Sequence, residues 1–191
     1  MKKTMFAVFA GFLAMGGAQA QTQTTVGAPY AETAPHAYVG IGIGAVKDTI
    51  SNDRKRTTKI FGGYEFDQNW AVETGYTYLG KTDFYLPQGD GWFRGSMRSY
   101  TAYAAAKYTY PLTERSSVYG KLGLSHNARK VKSDAPGWNF TDSDNGLYAA
   151  AGVQTRLTEK VSLYAEYERN GKRVINGPKN HVMNAGVKFD F

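Results

Sequence analysis

The sequence predicts an all-β fold: an eight-stranded antiparallel transmembrane up-and-down β-barrel. Three observations predict it. Apolar and polar residues alternate with period two through eight segments of about ten residues. The polar side of those segments carries full charges, while the apolar side accepts small residues. The connections alternate between short turns and long loops, as in barrels that cross a membrane with tilted strands.

The segments follow in order. Residues 38–46 place Val39, Ile41, Ile43 and Ala45 on one face and Gly40, Gly42 and Gly44 on the other. Residues 57–66 oppose Ile60, Tyr64 and Phe66 to Lys59 and Glu65. Residues 70–80 oppose Trp70, Val72, Thr74, Tyr76 and Tyr78 to Glu73, Gly75 and Thr77. Residues 98–110 oppose Tyr100, Ala102, Ala104, Ala106, Tyr108 and Tyr110 to Thr101, Lys107 and Thr109.

In the second half, residues 118–126 oppose Val118, Leu122 and Leu124 to Tyr119, Lys121 and Ser125. Residues 146–157 oppose Leu147, Ala149, Ala151, Val153 and Leu157 to Gln154 and Arg156. Residues 161–169 oppose Val161, Leu163, Ala165 and Tyr167 to Ser162, Glu166 and Glu168. Residues 181–191 oppose Met183, Ala185, Val187, Phe189 and Phe191 to Asn184, Gly186, Lys188 and Asp190.

Such strands suit either a soluble barrel or sandwich with an apolar core, or a membrane barrel turned inside out. A soluble core of Ala102, Ala104, Ala106, Ala149 and Ala151 would bury little apolar area. The charged face would serve as a polar lumen, and aromatic residues gather near strand ends, where a membrane interface wants them. Residues 67–69, 111–116 and 158–160 read as short turns; 47–56, 81–97, 127–145 and 170–180 read as long loops. The short turns are assigned to the periplasmic side, together with both strand termini.

The chain has 191 residues, no cysteine and a formal net charge of +7. Without cysteine there is no disulfide scaffold, thiolate catalysis or cysteine-held metal. Lys2 and Lys3, an apolar run from Met5 to Met15 and Ala18-Gln19-Ala20 read as a signal peptide over 1–20, too short in its apolar run to span a bilayer. Its removal leaves +5. Residues 21–37 read as a flexible periplasmic leader, and 38–191 as the barrel.

Several segments resemble OmpA-like eight-stranded outer-membrane barrels: Phe61-Gly62-Gly63-Tyr64, Trp70 to Gly80, Ala106 to Thr113, Val118 to Gly123 and Ala165-Glu166-Tyr167. The resemblance covers about 38–191 and is that of a barrel-only member, without the peptidoglycan-binding domain many relatives carry. The tail, with Asn184, Gly186, Phe189 and Phe191, is similar to the signal read by the outer-membrane assembly machinery. The resemblance implies an inward charge network that fills the lumen. Glu73 and Lys107 match a family Glu and Lys; Gln154 and Tyr164 stand where the family has a second Glu and an Arg. Glu73 and Lys107 are therefore expected to pair directly. The candidate network is Glu73, Lys107, Lys121, Gln154, Arg156, Tyr164 and Glu166.

A second candidate site is a basic loop patch: Lys47, Arg54, Lys55 and Arg56 in the first long loop, and Arg169, Lys172, Arg173 and Lys179 in the fourth. Such charge attracts anionic sugar phosphates. Trp92, Phe93, Trp138 and Phe140 fall in the second and third loops. Ser125 and His126 cannot form a hydrogen-bonded catalytic pair without a bulge, because adjacent strand residues face opposite ways. The three histidines show no metal spacing, and Asp142 to Gly146 reads as a turn rather than a calcium loop. No cofactor, metal or catalytic residue is assigned.

The reading is a monomeric, Gram-negative-type outer-membrane protein, not an enzyme, with a structural or surface-interaction role. Membrane integrity or adhesion would act through the basic loops, over a side-chain-filled lumen. Expected partners are outer-membrane lipid and lipopolysaccharide, the assembly machinery, and anionic glycans or a host surface, with no nucleic acid. The alternative is a small pore-forming porin; a lipid A-modifying enzyme ranks third.

Overall fold

The computed structural model describes residues 34–47, 54–88, 91–133, 139–172 and 179–191. The expected signal peptide over 1–20 and most of the expected leader over 21–37 lie outside them. Eight strands close into one antiparallel barrel in chain order: β1 (His36–Lys47), β2 (Arg54–Glu65), β3 (Trp70–Gln88), β4 (Gly91–Pro111), β5 (Ser116–Ser133), β6 (Phe140–Arg156), β7 (Val161–Lys172) and β8 (Lys179–Asp190). The strand pairing begins at His36, two residues before the expected start of the barrel.

The three short turns form as their residues dictate. Asp67 accepts the N–H groups of Asn69 (2.7 Å) and Trp70 (2.8 Å), and Thr113 Oγ1 accepts that of Ser116 (3.0 Å). Side chains of this kind replace backbone partners in tight turns. Leu157 N–H closes the third turn onto Val161 O at 2.8 Å.

At the other end the expected long loops two and three give way to strand. β3 and β4 continue pairing as far as Gln88 and Gly91, and β5 and β6 as far as Val131 and Phe140. Residues 142–146 lie within β6, so the turn expected there is a strand. These strands have 17 to 21 residues, well beyond the 9–11 a bilayer needs. Their ends project as hairpins.

The register fixes the tilt. Following backbone partners from Ala37 leads through Tyr64, Val72, Ala106, Leu122, Ala149, Arg169 and His181 back to β1 at Lys47. One circuit therefore climbs ten residues, and a stagger of that kind requires strands inclined to the barrel axis.

Burial is inverted relative to a water-soluble protein. Ile43 is 74% exposed, Leu124 68% and Met183 67%, whereas Lys59 and Glu168 are fully buried. Charged side chains are almost never fully buried unless paired, so the interior must pair them. The glycine face of β1 points inward and makes room for rings: a Cβ at Gly40 would collide with Phe61, and one at Gly42 with the Tyr164 hydroxyl.

Candidate functional site

The lumen is crossed by a ladder of ion pairs. Lys59 on β2 binds Glu168 (2.5 Å) and Glu166 on β7, and donates to the Tyr148 hydroxyl (3.3 Å). Lys121 on β5 joins Glu166 to Glu73 on β3, at 2.6 Å from the latter. Glu73 also accepts the hydroxyls of Tyr38 (2.9 Å) and Tyr103. Tyr103 stacks on Tyr148 with ring centres 4.0 Å apart, and the Lys59 ammonium lies 4.7 Å above the Tyr103 ring. Ammonium over an aromatic face is attracted by the ring quadrupole, most strongly where water is excluded.

A second cluster lies toward the short-turn rim. Lys107 is 3.4 Å from Glu65 and 3.4 Å from Gln154 Oε1. Lys188 bridges Glu65 (3.0 Å) and Asp190 (2.9 Å), and His36 Nε2 is within 3.3 Å of both carboxylates. His36, Glu65 and Asp190 present their ligand atoms within 4.8 Å of one another, but the Lys188 ammonium already bridges the two carboxylates, which is the place a metal ion would take.

The sequence predicts Glu73, Lys107, Lys121, Gln154, Tyr164 and Glu166 to face inward, and the structure brings them into the lumen. Two expectations are corrected. Glu73 does not pair with Lys107; it pairs with Lys121. Lys107 and Lys121 are direct cross-strand partners, and like charges in that position repel. Lys121 therefore turns to Glu73 and Glu166, and Lys107 to Glu65. Arg156 leaves the network altogether: it is exposed at the short-turn rim, where a guanidinium reaches water. Sequence reasoning misses the place of Lys59, Glu168, Tyr103 and Tyr148. The inward parity of Lys59 and Glu168 is visible in the alternation, but their proximity depends on the ten-residue stagger.

In the tail, Asn184 is also a lumen residue. It accepts the Thr57 hydroxyl (3.0 Å) and donates to Glu168 (2.7 Å). Phe189 and Phe191 are exposed on the outer face, beside Phe66, Trp70, Tyr108 and Tyr110 at the same rim.

At the hairpin end, Arg56 and Arg169 are exposed on the outer face, and Lys55 is half-buried. Lys47 and Arg54 are backbone partners. Arg173 and the side chains of Lys172, Lys179, Trp92 and Phe93 lie outside the described residues, as does Trp138. Further exposed cations are Lys81, Arg94, Lys130 and Lys132, where the sequence predicts long loops, and Arg98, where it predicts the start of a strand. Four of these five, all but Arg98, line a cleft of about 650 Å³ with Phe140. Asp83 lies in it too, paired with Lys81 at 2.8 Å; the Lys81 hydrogen bond holds its carboxyl below the ordinary aspartate range. Ser125 is buried, and His126 turns away to Asn145 (2.7 Å).

A barrel with lipid-facing apolar residues and a charged lumen restricts the possible relatives. The family model for the outer membrane protein beta-barrel domain matches residues 9–191. The chain belongs to that family. Outer membrane protein A of Shigella flexneri is 27% identical over 139 residues, 69% of this chain and 39% of that protein. The chain thus spans about two fifths of the length of such relatives. An uncharacterized protein of Haemophilus influenzae is 30% identical over 164 residues, 81% of this chain and 88% of the relative. Among solved structures, the attachment invasion locus protein Ail of Yersinia pestis, in complex with the heparin analogue sucrose octasulfate, superposes with a TM-score of 0.55 at 22% identity, covering 84% of this chain and 98% of that one. The protein is accordingly a bacterial outer-membrane β-barrel of OmpA-like architecture. Such barrels keep their short turns in the periplasm, so the hairpin end is extracellular.

Proposed function

We propose that the protein is a non-conducting surface barrel whose extracellular end binds anionic saccharides, in an adhesive or envelope-stabilising role. The observation that carries this reading is the uneven distribution of exposed charge. Arg56, Lys81, Arg94, Arg98, Lys130, Lys132 and Arg169 are exposed toward the extracellular end, while the outer face of the periplasmic rim presents Phe66, Trp70, Tyr110 and Phe189. Clustered cations raise the local concentration of polyanions and speed their association. The heparin analogue bound to the structurally similar Ail is in keeping with such a ligand. Lys47, Arg54, Lys55, Arg56, Arg169, Lys172, Arg173 and Lys179 remain the proposed patch. The lumen residues act as a plug, and Asn184, Gly186, Phe189 and Phe191 as the signal for the assembly machinery.

The test is titration of the detergent-folded protein with sucrose octasulfate. Replacing Arg54, Lys55 and Arg56 together with Arg169, Lys172 and Arg173 by Ser should weaken binding about tenfold or more; unchanged affinity removes the proposed mechanism. A small pore is the second reading. What favours it is the extracellular half of the lumen, where Thr77 Oγ1 and both amide atoms of Asn170 find no protein partner and so call for water. The ion-pair ladder below argues against through-flow. Planar-bilayer recordings of the purified protein separate the two: the plugged barrel gives no steady single-channel conductance.

A further inference from the structure

The β3–β6 sector carries its cations on an unusual face. Below them, the same outer face is apolar: Val72, Tyr76, Ala104, Leu124 and Leu147 all point outward. Alternation continued without interruption would place Lys81 and Asp83 inside the barrel. Instead, pairing slips by one residue between Tyr78 and Lys81, at Gly80, whose φ of 95° is open to glycine and costly for other residues. A bulge of this kind re-aims the side chains that follow it. Lys81 and Asp83 emerge on the outer face, in register with Arg98 and Ser96, and these with Lys130 and Lys132.

We infer that this outer-face cleft binds the phosphorylated saccharide headgroup of a lipid in the protein's own outer leaflet. The inference does not require the polyanion reading, because the approach is different. A soluble polyanion meets the hairpin tips from above, whereas this cleft opens on the side that continues downward into the acyl-chain region. The stacked pair Tyr76 and Tyr100, with ring centres 5.5 Å apart, lies at the cleft's lower edge, and the Lys130 ammonium sits 5.9 Å from the Tyr100 ring. Aromatic girdles mark the interface between hydrocarbon and headgroups, so the cations stand at headgroup height.

The chemistry matches a phosphorylated sugar. Lys81, Arg94, Lys130 and Lys132 outnumber the single acid, Asp83, which Lys81 and Arg94 already contact. Arg94 offers a planar fork suited to phosphate oxygens. Asn139 and Thr141 supply polar groups for sugar hydroxyls at the β6 wall. On the opposite rim the outer face is aromatic, and the cations Arg115, Arg156 and Lys160 lie in or beside the turns. That asymmetry is expected if only one leaflet presents phosphorylated sugars.

The test uses the full chain in phosphatidylcholine nanodiscs doped with bis-phosphorylated lipid A or with the same lipid stripped of phosphate. Native mass spectrometry reads how much of each lipid stays on the released barrel. Wild type should retain the phosphorylated form about tenfold more than the stripped form. Lys130→Gln with Lys132→Gln should abolish that preference. Arg115→Gln with Lys160→Gln, which removes the same charge from the periplasmic turns, should preserve it. Mobility on gels without boiling confirms that each variant is folded. No preference in wild type, or a preference that survives in the Lys130/Lys132 variant, overturns the inference. Excess sucrose octasulfate should leave lipid retention unchanged. Displacement by it would favour a shared polyanion site over lateral lipid binding and overturn the assignment, while octasulfate binding without displacement leaves both readings standing separately.

Discussion

The two halves of the lumen solve the same problem differently. In the periplasmic half, burial of charge is answered by more charge: Lys59, Lys107, Lys121 and Lys188 are set against Glu65, Glu73, Glu166, Glu168 and Asp190. In the extracellular half the fully buried inward residues are neutral: Thr57, Thr77, Thr101 and Asn170. There Thr101 donates to Asn127 at 2.7 Å, but Thr77 and Asn170 find no protein partner. The lower half is held by ion pairs, with the Tyr164 hydroxyl and one Glu168 oxygen left over, whereas in the upper half whole side chains depend on water. Charged networks are costly when incomplete, whereas neutral groups open to water cost little. The plug therefore belongs to the lower half, and mutations there should be felt most.

The largest effect is expected at Lys121. Among the described residues it alone joins Glu73 to Glu166, so Lys121→Met leaves the buried Glu73 without a cation and Glu166 with Lys59 only. Removing one partner of a buried pair costs about 3–5 kcal/mol. Urea unfolding of the protein in lipid vesicles, followed by tryptophan fluorescence and gel mobility, should show a loss of that order. Adding Glu73→Gln should recover part of it. A cost under about 1 kcal/mol would mean that water reaches the lower lumen as readily as the upper, and the contrast between the halves would disappear.

Lys107→Met should cost less, about 1–2 kcal/mol, in the same assay. Its two contacts are both 3.4 Å long, and Lys188 still neutralises Glu65. The ranking of these two lysines is a direct check on the pairing, since a Glu73–Lys107 pair would predict the reverse order.

That reversal shows how far the sequence can be read. Period-two alternation identifies the inner and outer faces of all eight strands, because Lys59, Glu73, Lys121, Glu166 and Lys188 share parity with their glycine and threonine neighbours. Partners across the lumen depend on the ten-residue stagger of the closed barrel, which no single strand encodes. The extensions of β3 to β6 are hidden for a different reason. Above the membrane both faces of a hairpin meet water, so alternation fades while backbone pairing continues. Residues 81–97 and 127–145 therefore read as loops. Gly80 reads as the end of a strand; the structure makes it a bulge within one.

Gly80→Ala tests that junction. An alanine held in the left-handed region costs about 1–2 kcal/mol. If the bulge is kept, stability falls by that amount and Lys81 stays outside. If the strand slips back into register, Lys81 turns inward. The accessibility of a Lys81→Cys probe to a membrane-impermeant thiol reagent, with and without Gly80→Ala, distinguishes the two outcomes. The chain's lack of native cysteine makes the readout unambiguous.

The smallest effect is expected at Thr77→Val. The substitution keeps the shape and removes a hydroxyl that no protein group engages. Replacing a polar group that only water satisfies is close to neutral, within about 0.5–1 kcal/mol. The same near-isosteric change at Thr57, whose hydroxyl donates to Asn184 and through it supports Glu168, should cost more, because it opens the upper edge of the ion-pair ladder. The two threonines are both fully buried on adjacent strands. A difference between them in urea unfolding would place the boundary of the plug between Thr77 and Thr57, and equal costs would mean that the ladder ends lower, at Lys59.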